Sequence, residues 1–279
     1  MTFLAMIIAL VLQQAWGSAN PVHADDWYRG WYSEVRRWGV PPVIKLALAV
    51  LAPALLACVI LDALEPVLFG LLWIAAAVWL LVYSLGRGDF REQMDNYRRQ
   101  CLGGDFEGAF LAAGAQMGHF AEGENPASEE EVHSMVQRAL LYEGFQRWFA
   151  VLFWFMLLGP AGALAYRLLQ LCHDELEPEL AARCLYYIDW IPSRLLAATF
   201  VVTGDFVGSR DAFLAALQSA SRDTGELLYR VGSAALSALP GKEESFGDWA
   251  AAQNLAFSGL LKRSAGAWLV AISLYVVFL

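Results

Sequence analysis

A charge-free apolar stretch of this chain covers residues 67–86. A helix of roughly twenty residues spans the ~30 Å hydrocarbon core of a bilayer, because each residue advances it by about 1.5 Å. A shorter apolar stretch, residues 46–61, precedes it and stops at Asp62. The pattern therefore predicts a hairpin of two membrane helices, and with it a membrane protein.

Basic residues flank both ends of this hairpin, whereas its turn, residues 62–66, contains no lysine or arginine. The positive-inside rule places the two flanks in the cytoplasm and the turn in the periplasm. The flanking basic residues are Arg36, Arg37 and Lys45 before the hairpin and Arg87, Arg91, Arg98 and Arg99 after it.

The chain has apolar patterns near both ends. Residues 3–12 are short for a span and lack a basic leader, which favours an uncleaved anchor; whether residues 1–16 cross the bilayer is left open. Trp27, Trp31, Val35 and Trp38 recur at helical spacing and predict a helix at the membrane interface. Residues 265–279 predict a final apolar helix.

Residues 87–147 are too polar to span but show helical periodicity, which predicts a cytoplasmic helical segment. One apolar stripe is Phe90, Met94, Tyr97 and Cys101. Ser128 and Glu131 form a capping box that opens a second helix, whose apolar face is Val132, Met135, Val136, Ala139 and Leu140. We expect this helix to enter the membrane and to bend at Gly159 and Pro160.

Two further apolar stretches, residues 161–171 and 185–202, flank an acidic segment. They predict a second membrane hairpin; a large periplasmic loop is the alternative. Arginines and lysines are frequent in residues 204–264, which favours a second cytoplasmic helical segment there. Together these elements predict an all-α, polytopic helical bundle with about four to six transmembrane helices, in a single membrane domain of residues 1–279.

The sequence GDF occurs at residues 104–106 and 204–206, each time followed by FLAA. Asp105 and Asp205 are each suited to cap a following helix. The repetition indicates two related halves, or only a common stop and restart signal.

Composition supports a membrane protein and excludes one class of partner. Hydrophobic residues make up 58% and charged residues 17% of the chain, against roughly 45–50% and ~25% in soluble domains. The net charge of −9 lies in short acidic stretches, and no basic stripe suggests nucleic acid.

The sequence carries little catalytic chemistry. The four histidines, His23, His119, His133 and His173, are widely separated, so no metal site is predicted, and a solvated surface explains His119 and His133 best. The chain shows no nucleophile elbow or phosphate-binding loop, and we predict no catalytic residue and no cofactor.

Charged residues within apolar sequence are the strongest candidates for a ligand site. Asp189 and Arg194 would be costly in lipid, so we expect them to face the protein interior, paired with each other or with Arg167. A structural ion pair is the alternative. Cys172 and Cys184 lie near the predicted periplasmic turn, where a disulfide is chemically permitted; Cys58 and Cys101 should stay reduced.

Three segments resemble the CobD/CbiB family of membrane enzymes, which attach an aminopropanol-type group to adenosylcobyric acid. They are residues 152–167 (LFWFMLLGPAGALAYR), 189–195 (DWIPSRL) and 104–109 (GDFEGA). The chain is more similar still to the AmpE family, the regulatory branch of this superfamily. That resemblance implies a multi-pass protein of the bacterial inner membrane, linked to β-lactamase induction.

The synthase motifs are degraded in this chain. Where the synthases carry Gly-Arg-Asp-Thr, this chain has Gly118-His119-Phe120, and residues 142–148 (YEGFQRW) replace their Glu-Asn and Asp-Gly elements. The leading hypothesis is therefore a non-catalytic regulator that binds a muropeptide, a lipid or a membrane protein. An amide-forming synthase is the alternative, a transporter is disfavoured, and a homo-oligomer is left open.

Overall fold

The computed structural model describes residues 1–16, 24–86, 89–117, 126–175, 178–218, 223–236 and 245–278, and within these ranges every regular element is helical. The α-helices are α1 (Thr2–Trp16), α2 (Asp26–Arg37), α3 (Pro42–Leu64), α4 (Leu71–Ser84), α5 (Phe90–Gly103), α6 (Phe106–Met117), α7 (Glu129–Gly144), α8 (Val151–Glu175), α9 (Pro178–Thr203), α10 (Phe206–Gln218), α11 (Thr224–Ala235) and α12 (Phe246–Phe278).

Four helical runs in the described part of the chain are long and apolar enough to cross a membrane. They are Pro42–Leu64, Val67–Ser84, Glu129–His173 and Phe246–Val276. The predicted class, an all-α helical membrane bundle, is confirmed. Helix α9 is not among the four, so its role as an arm of a second membrane hairpin stays a prediction.

The second arm of the first hairpin begins later than the sequence predicts. A 3₁₀ turn occupies Val67–Gly70, and Leu68 (φ 49°) and Phe69 (φ 55°) adopt left-handed backbone conformations there. Such conformations cost a non-glycine residue on the order of 1–3 kcal/mol each, and they prevent the α-helix from starting at Val67. Helix α4 therefore has 14 residues.

The predicted run from the second polar helix towards the membrane is confirmed. Helix α7 continues through a π-helical segment, Phe145–Ala150, into α8. The bend lies at Gly159, whose φ of 74° and ψ of −167° break the helical geometry. Glycine tolerates this conformation because it has no Cβ, and Pro160 cannot donate a backbone hydrogen bond across the bend.

The described chain divides into two compact units. Unit 1 comprises Met1–Gly88 and Arg147–Ile188, and unit 2 comprises Asp89–Gln146 and Asp189–Leu279. Residues 87–147, predicted as a cytoplasmic segment, correspond closely to the first stretch of unit 2, with Arg87 and Gly88 outside the described residues. The cytoplasmic location of this segment and of residues 204–264 stays a prediction.

In unit 1, α8 packs against α3 and α4, while α1 packs against α4 and α2 against α3. Helix α2 buries Tyr28, Tyr32 and Val35, whereas Trp27 and Trp38 are exposed, and its location at the membrane interface stays a prediction. The buried Tyr28 hydroxyl has hydrogen-bond partners in this interior, as described below.

In unit 2, α12 packs along α5, α6 packs on α7, α10 packs on α11, and α7 contacts α11. The predicted stripe of α5 is confirmed by the burial of Met94, Tyr97 and Cys101. The Ser128 hydroxyl accepts a hydrogen bond from the Glu131 amide, as the capping box requires.

Both GDF segments form the same helix cap in unit 2. Asp105 Oδ1 accepts a hydrogen bond from the Gly108 amide at 2.9 Å, and Asp205 Oδ1 accepts one from the Gly208 amide at 3.0 Å. A Cβ at Gly108 would lie 2.3 Å from Asp105 Oδ2, and one at Gly208 would lie 2.8 Å from Asp205 Oδ2. The capping prediction is confirmed, whereas the relation between two halves of the chain stays a prediction.

Candidate functional site

Asp189 is fully buried in unit 2, on a helix that carries much apolar sequence. Its Oδ2 accepts a hydrogen bond of 2.9 Å from the Tyr142 hydroxyl of α7. Burial of a carboxylate is costly unless it is hydrogen-bonded, so Asp189 needs this partner. The hydrogen bond joins α7 to α9.

Arg194 lies one turn further along α9 and is also buried, with 8% of its surface exposed. Its Nη1 donates to the Trp190 carbonyl at 3.1 Å, and its guanidinium lies 4.1 Å from the centre of the Trp190 ring. The Ser193 hydroxyl donates to the same carbonyl at 3.2 Å. A cation over an indole face is favourable, and most so where water is excluded.

Arg167, the third predicted ligand residue, has its described contacts within unit 1. Its Nη2 lies 3.9 Å from Asp25 Oδ2, and its Nη1 donates to Gln170 Oε1 at 3.0 Å. Asp25 Oδ1 also accepts a hydrogen bond of 2.8 Å from the Tyr83 hydroxyl. The cluster of Asp25, Tyr83 and Arg167 therefore ties the start of α2 to α4 and α8.

The suggested disulfide between Cys172 and Cys184 is not formed, because all four cysteines are free. The Cys172 thiol is buried and lies 2.8 Å from the Tyr28 hydroxyl, with which it shares a hydrogen bond. The Tyr28 hydroxyl also donates to the Leu168 carbonyl at 3.2 Å. Burial beside this thiol raises the pKa of Tyr28 well above its usual range.

His133 contradicts the expectation of a solvated surface, because only 1% of it is exposed. Its Nδ1 lies 2.7 Å from the Tyr97 hydroxyl and its Nε2 lies 2.6 Å from Gln253 Oε1. An amide oxygen can only accept, so Nε2 carries a proton and donates to Gln253, while Nδ1 shares a hydrogen bond with the Tyr97 hydroxyl. The His133 ring therefore joins α5, α7 and α12.

A second buried amide pair lies on the same helices. Gln137 Nε2 donates to Asn254 Oδ1 at 3.2 Å, and Asn254 Nδ2 donates to the Met94 carbonyl at 2.7 Å. Gln137 is completely buried and Asn254 is 1% exposed. Together with Tyr97, His133 and Gln253 these residues form the buried polar network of unit 2.

Burial also determines the protonation states of two side chains of α5, Tyr97 and Cys101. It raises the pKa of Tyr97 far above its ordinary value, so the phenol keeps its proton at neutral pH. It raises the pKa of the Cys101 thiol to about 11. Neither group is suited to act as a nucleophile or base at neutral pH.

The other histidines add no second cluster. His173 is half-buried on α8, and His23 and His119 lie outside the described residues. Among the described residues no group of three or more His, Cys, Asp or Glu side chains could hold a metal ion.

Sequence patterns did not predict the partners of these residues, namely Tyr142, Asp25, Gln253 and Asn254. One local signal existed, because Gln253 and Asn254 stand side by side in a helix that is otherwise largely apolar. Buried amides in such a helix require partners on a neighbouring element. Which element supplies them depends on the tertiary fold.

The fold and its buried polar side chains define an all-helical membrane protein. A protein-family model described as the regulatory signalling modulator protein AmpE matches residues 1–278. The chain therefore belongs to the AmpE family, and its role is that of a regulatory signalling modulator. Comparison with curated proteins and with solved structures gave no match.

Proposed function

We propose that the protein is a multi-pass protein of the bacterial inner membrane that modulates the response to cell-wall damage, including β-lactamase induction, through binding rather than catalysis. The family match over residues 1–278 supports the regulatory part of this proposal. Four candidate spans support the membrane part. The ligand class is a muropeptide, a lipid or another membrane protein.

The burial of the Asp189 carboxylate is the observation that supports a ligand site on α9. Asp189 and Arg194 are both buried on α9, although aspartate and arginine are rarely buried unless they are paired. Polar side chains held inside apolar helical sequence commonly mark a ligand or ion site. A bound ligand at this position would contact α9 and, through Tyr142, α7.

The test replaces Arg194 by leucine in a strain that lacks the chromosomal copy. Leucine makes α9 easier to insert, so membrane abundance should match the wild type while β-lactamase activity after β-lactam challenge falls several-fold. Arg210→Leu is the matched control, because Arg210 is an exposed arginine whose ion pair with Asp211, at 3.4 Å, is also exposed. Normal induction in cells that carry Arg194→Leu would overturn the ligand site. Loss of the variant from the membrane would also overturn it, because that loss would indicate a structural ion pair.

The catalytic alternative is tested directly. Purified protein is incubated with ATP, adenosylcobyric acid and aminopropanol phosphate, and the products are separated by mass. We expect no amide product, because the motifs of the synthases are degraded at residues 118–120 and 142–148 of this chain. Formation of the amide would overturn a purely regulatory function.

A further inference from the structure

A cavity of about 320 Å³ lies in unit 2 between α5, α6 and α7. Its volume is at the lower end of the ~300–1,000 Å³ range of small-molecule sites. It is separate from Asp189 and Arg194, which do not line it. We propose that this cavity binds a small anionic amide, of the size of an acylated dipeptide.

The wall formed by α5 is polar and carries no carboxylate. It presents the amides of Gln93, Asn96 and Gln100, together with Tyr97 and Arg99. Carboxamides both donate and accept hydrogen bonds, which suits the peptide groups of a ligand. Among the described lining residues Arg99 alone is formally charged. It is exposed and contacts Asn96 Oδ1, so a ligand carboxylate fits at its end of the wall.

One acceptor in this wall has no partner in the described structure. Gln93 Oε1 is shielded from solvent and makes no hydrogen bond. An unpaired buried acceptor is unfavourable, and the N–H of a bound amide would satisfy it. This atom therefore favours a ligand that donates from a peptide group over a simple inorganic anion.

The facing wall is apolar and formed by small side chains. It consists of Ala109, Ala112 and Ala113 of α6, with Met117 at its end and Val136 and Leu140 of α7. Because alanine side chains are short, this wall leaves room for methyl groups of a ligand. A ligand with amides on one side and methyl-sized side chains on the other matches both walls.

The polar wall is connected to a candidate membrane span. Tyr97 lines the cavity, and its hydroxyl is hydrogen-bonded through His133 to Gln253 of α12. A ligand that contacts Tyr97 therefore touches the buried polar network of unit 2. The proposal does not depend on a role in β-lactamase induction, since it concerns binding alone.

The test uses purified full-length protein in nanodiscs and N-acetyl-alanyl-alanine as probe, followed by ligand-observed nuclear magnetic resonance. A ligand of this size should bind with a dissociation constant of about 1 mM. Its C-terminal carboxamide should bind at least fivefold more weakly, because it lacks the charge that Arg99 recognises. Absence of binding at 10-fold higher concentration, about 10 mM, would overturn the proposal.

Matched variants on one helix locate the site. Ala112→Leu fills the cavity and should weaken binding at least tenfold, whereas Ala115→Leu, at an exposed position of α6 outside the lining, should leave it within twofold. Gln93→Leu removes the unpaired acceptor, so it should fold as stably as the wild type while binding more weakly. Equal binding by the two alanine variants would overturn the assignment to this cavity, and so would wild-type affinity in Gln93→Leu.

Discussion

Replacement of His133 by leucine tests the buried polar network of unit 2. The variant removes the hydrogen bonds from the imidazole to Tyr97 and Gln253. It leaves Gln253 Oε1 unpaired in the interior, whereas the Tyr97 hydroxyl keeps its hydrogen bond with the Cys101 thiol. An unpaired buried group costs about 1–3 kcal/mol and a lost hydrogen bond about 0.5–1.5 kcal/mol, so the free energy of unfolding should fall by about 1.5–4.5 kcal/mol. That is a large part of the ~5–15 kcal/mol that stabilises a typical domain.

The effect of the histidine is separated from that of its partners by a cycle of variants. Tyr97→Phe removes the partner of His133 Nδ1, and Gln253→Leu removes the acceptor of its Nε2–H, so each should cost about 1–3 kcal/mol. The triple apolar variant leaves none of these three groups unpaired. It should therefore be more stable than His133→Leu alone, although it carries two more substitutions.

The assay is denaturant unfolding of the full-length protein in detergent micelles, followed by far-ultraviolet circular dichroism. Glu130→Leu, an exposed change at the start of the same helix, is the control and should cost less than about 1 kcal/mol. The network is refuted if His133→Leu unfolds like the wild type. It is equally refuted if the triple variant loses the full sum of the three single losses.

Three other outcomes are expected. At pH 8 the buried Cys101 thiol, with its pKa raised to about 11, should react with a maleimide only after denaturation. The thiol of the unfolded chain ionises at a lower pH than the thiol of the folded protein. The free energy of unfolding should therefore fall from pH ~8.5 and level off near pH 11. Asp105→Ala and Asp205→Ala each remove one cap bond and should each cost about 0.5–2 kcal/mol in thermal unfolding, whereas a change of opposite sign in either would contradict the shared cap. An impermeant maleimide added to intact spheroplasts should label the half-buried Cys184 and not the buried Cys172; labelling of Cys184 only in lysed cells would place that turn in the cytoplasm.

Local sequence patterns predicted the features that depend on local physics. The bend at Gly159 follows from one backbone conformation and the proline after it, and the caps at Asp105 and Asp205 need only a carboxylate and an amide three residues on. Burial of His133 depends instead on Tyr97, 36 residues away, and on Gln253, 120 residues away. No periodicity in the sequence of α7 distinguishes a buried histidine with two partners from one at the surface.

Helix α9 shows why average hydropathy and the exposure of individual positions differ on whether a helix spans the membrane. Four of its exposed apolar residues, Tyr187, Ile191, Leu195 and Val202, recur at intervals of four and seven and so share one face, and Trp190 is exposed beside them. Asp189 is completely buried, so its charge does not lie on that apolar surface. A window average counts both faces together, and the buried Asp189 therefore lowers the mean hydropathy of a helix whose exposed face is largely apolar. The exposure pattern is what a lipid-facing helix requires, and it supports the prediction that α9 is an arm of the second membrane hairpin.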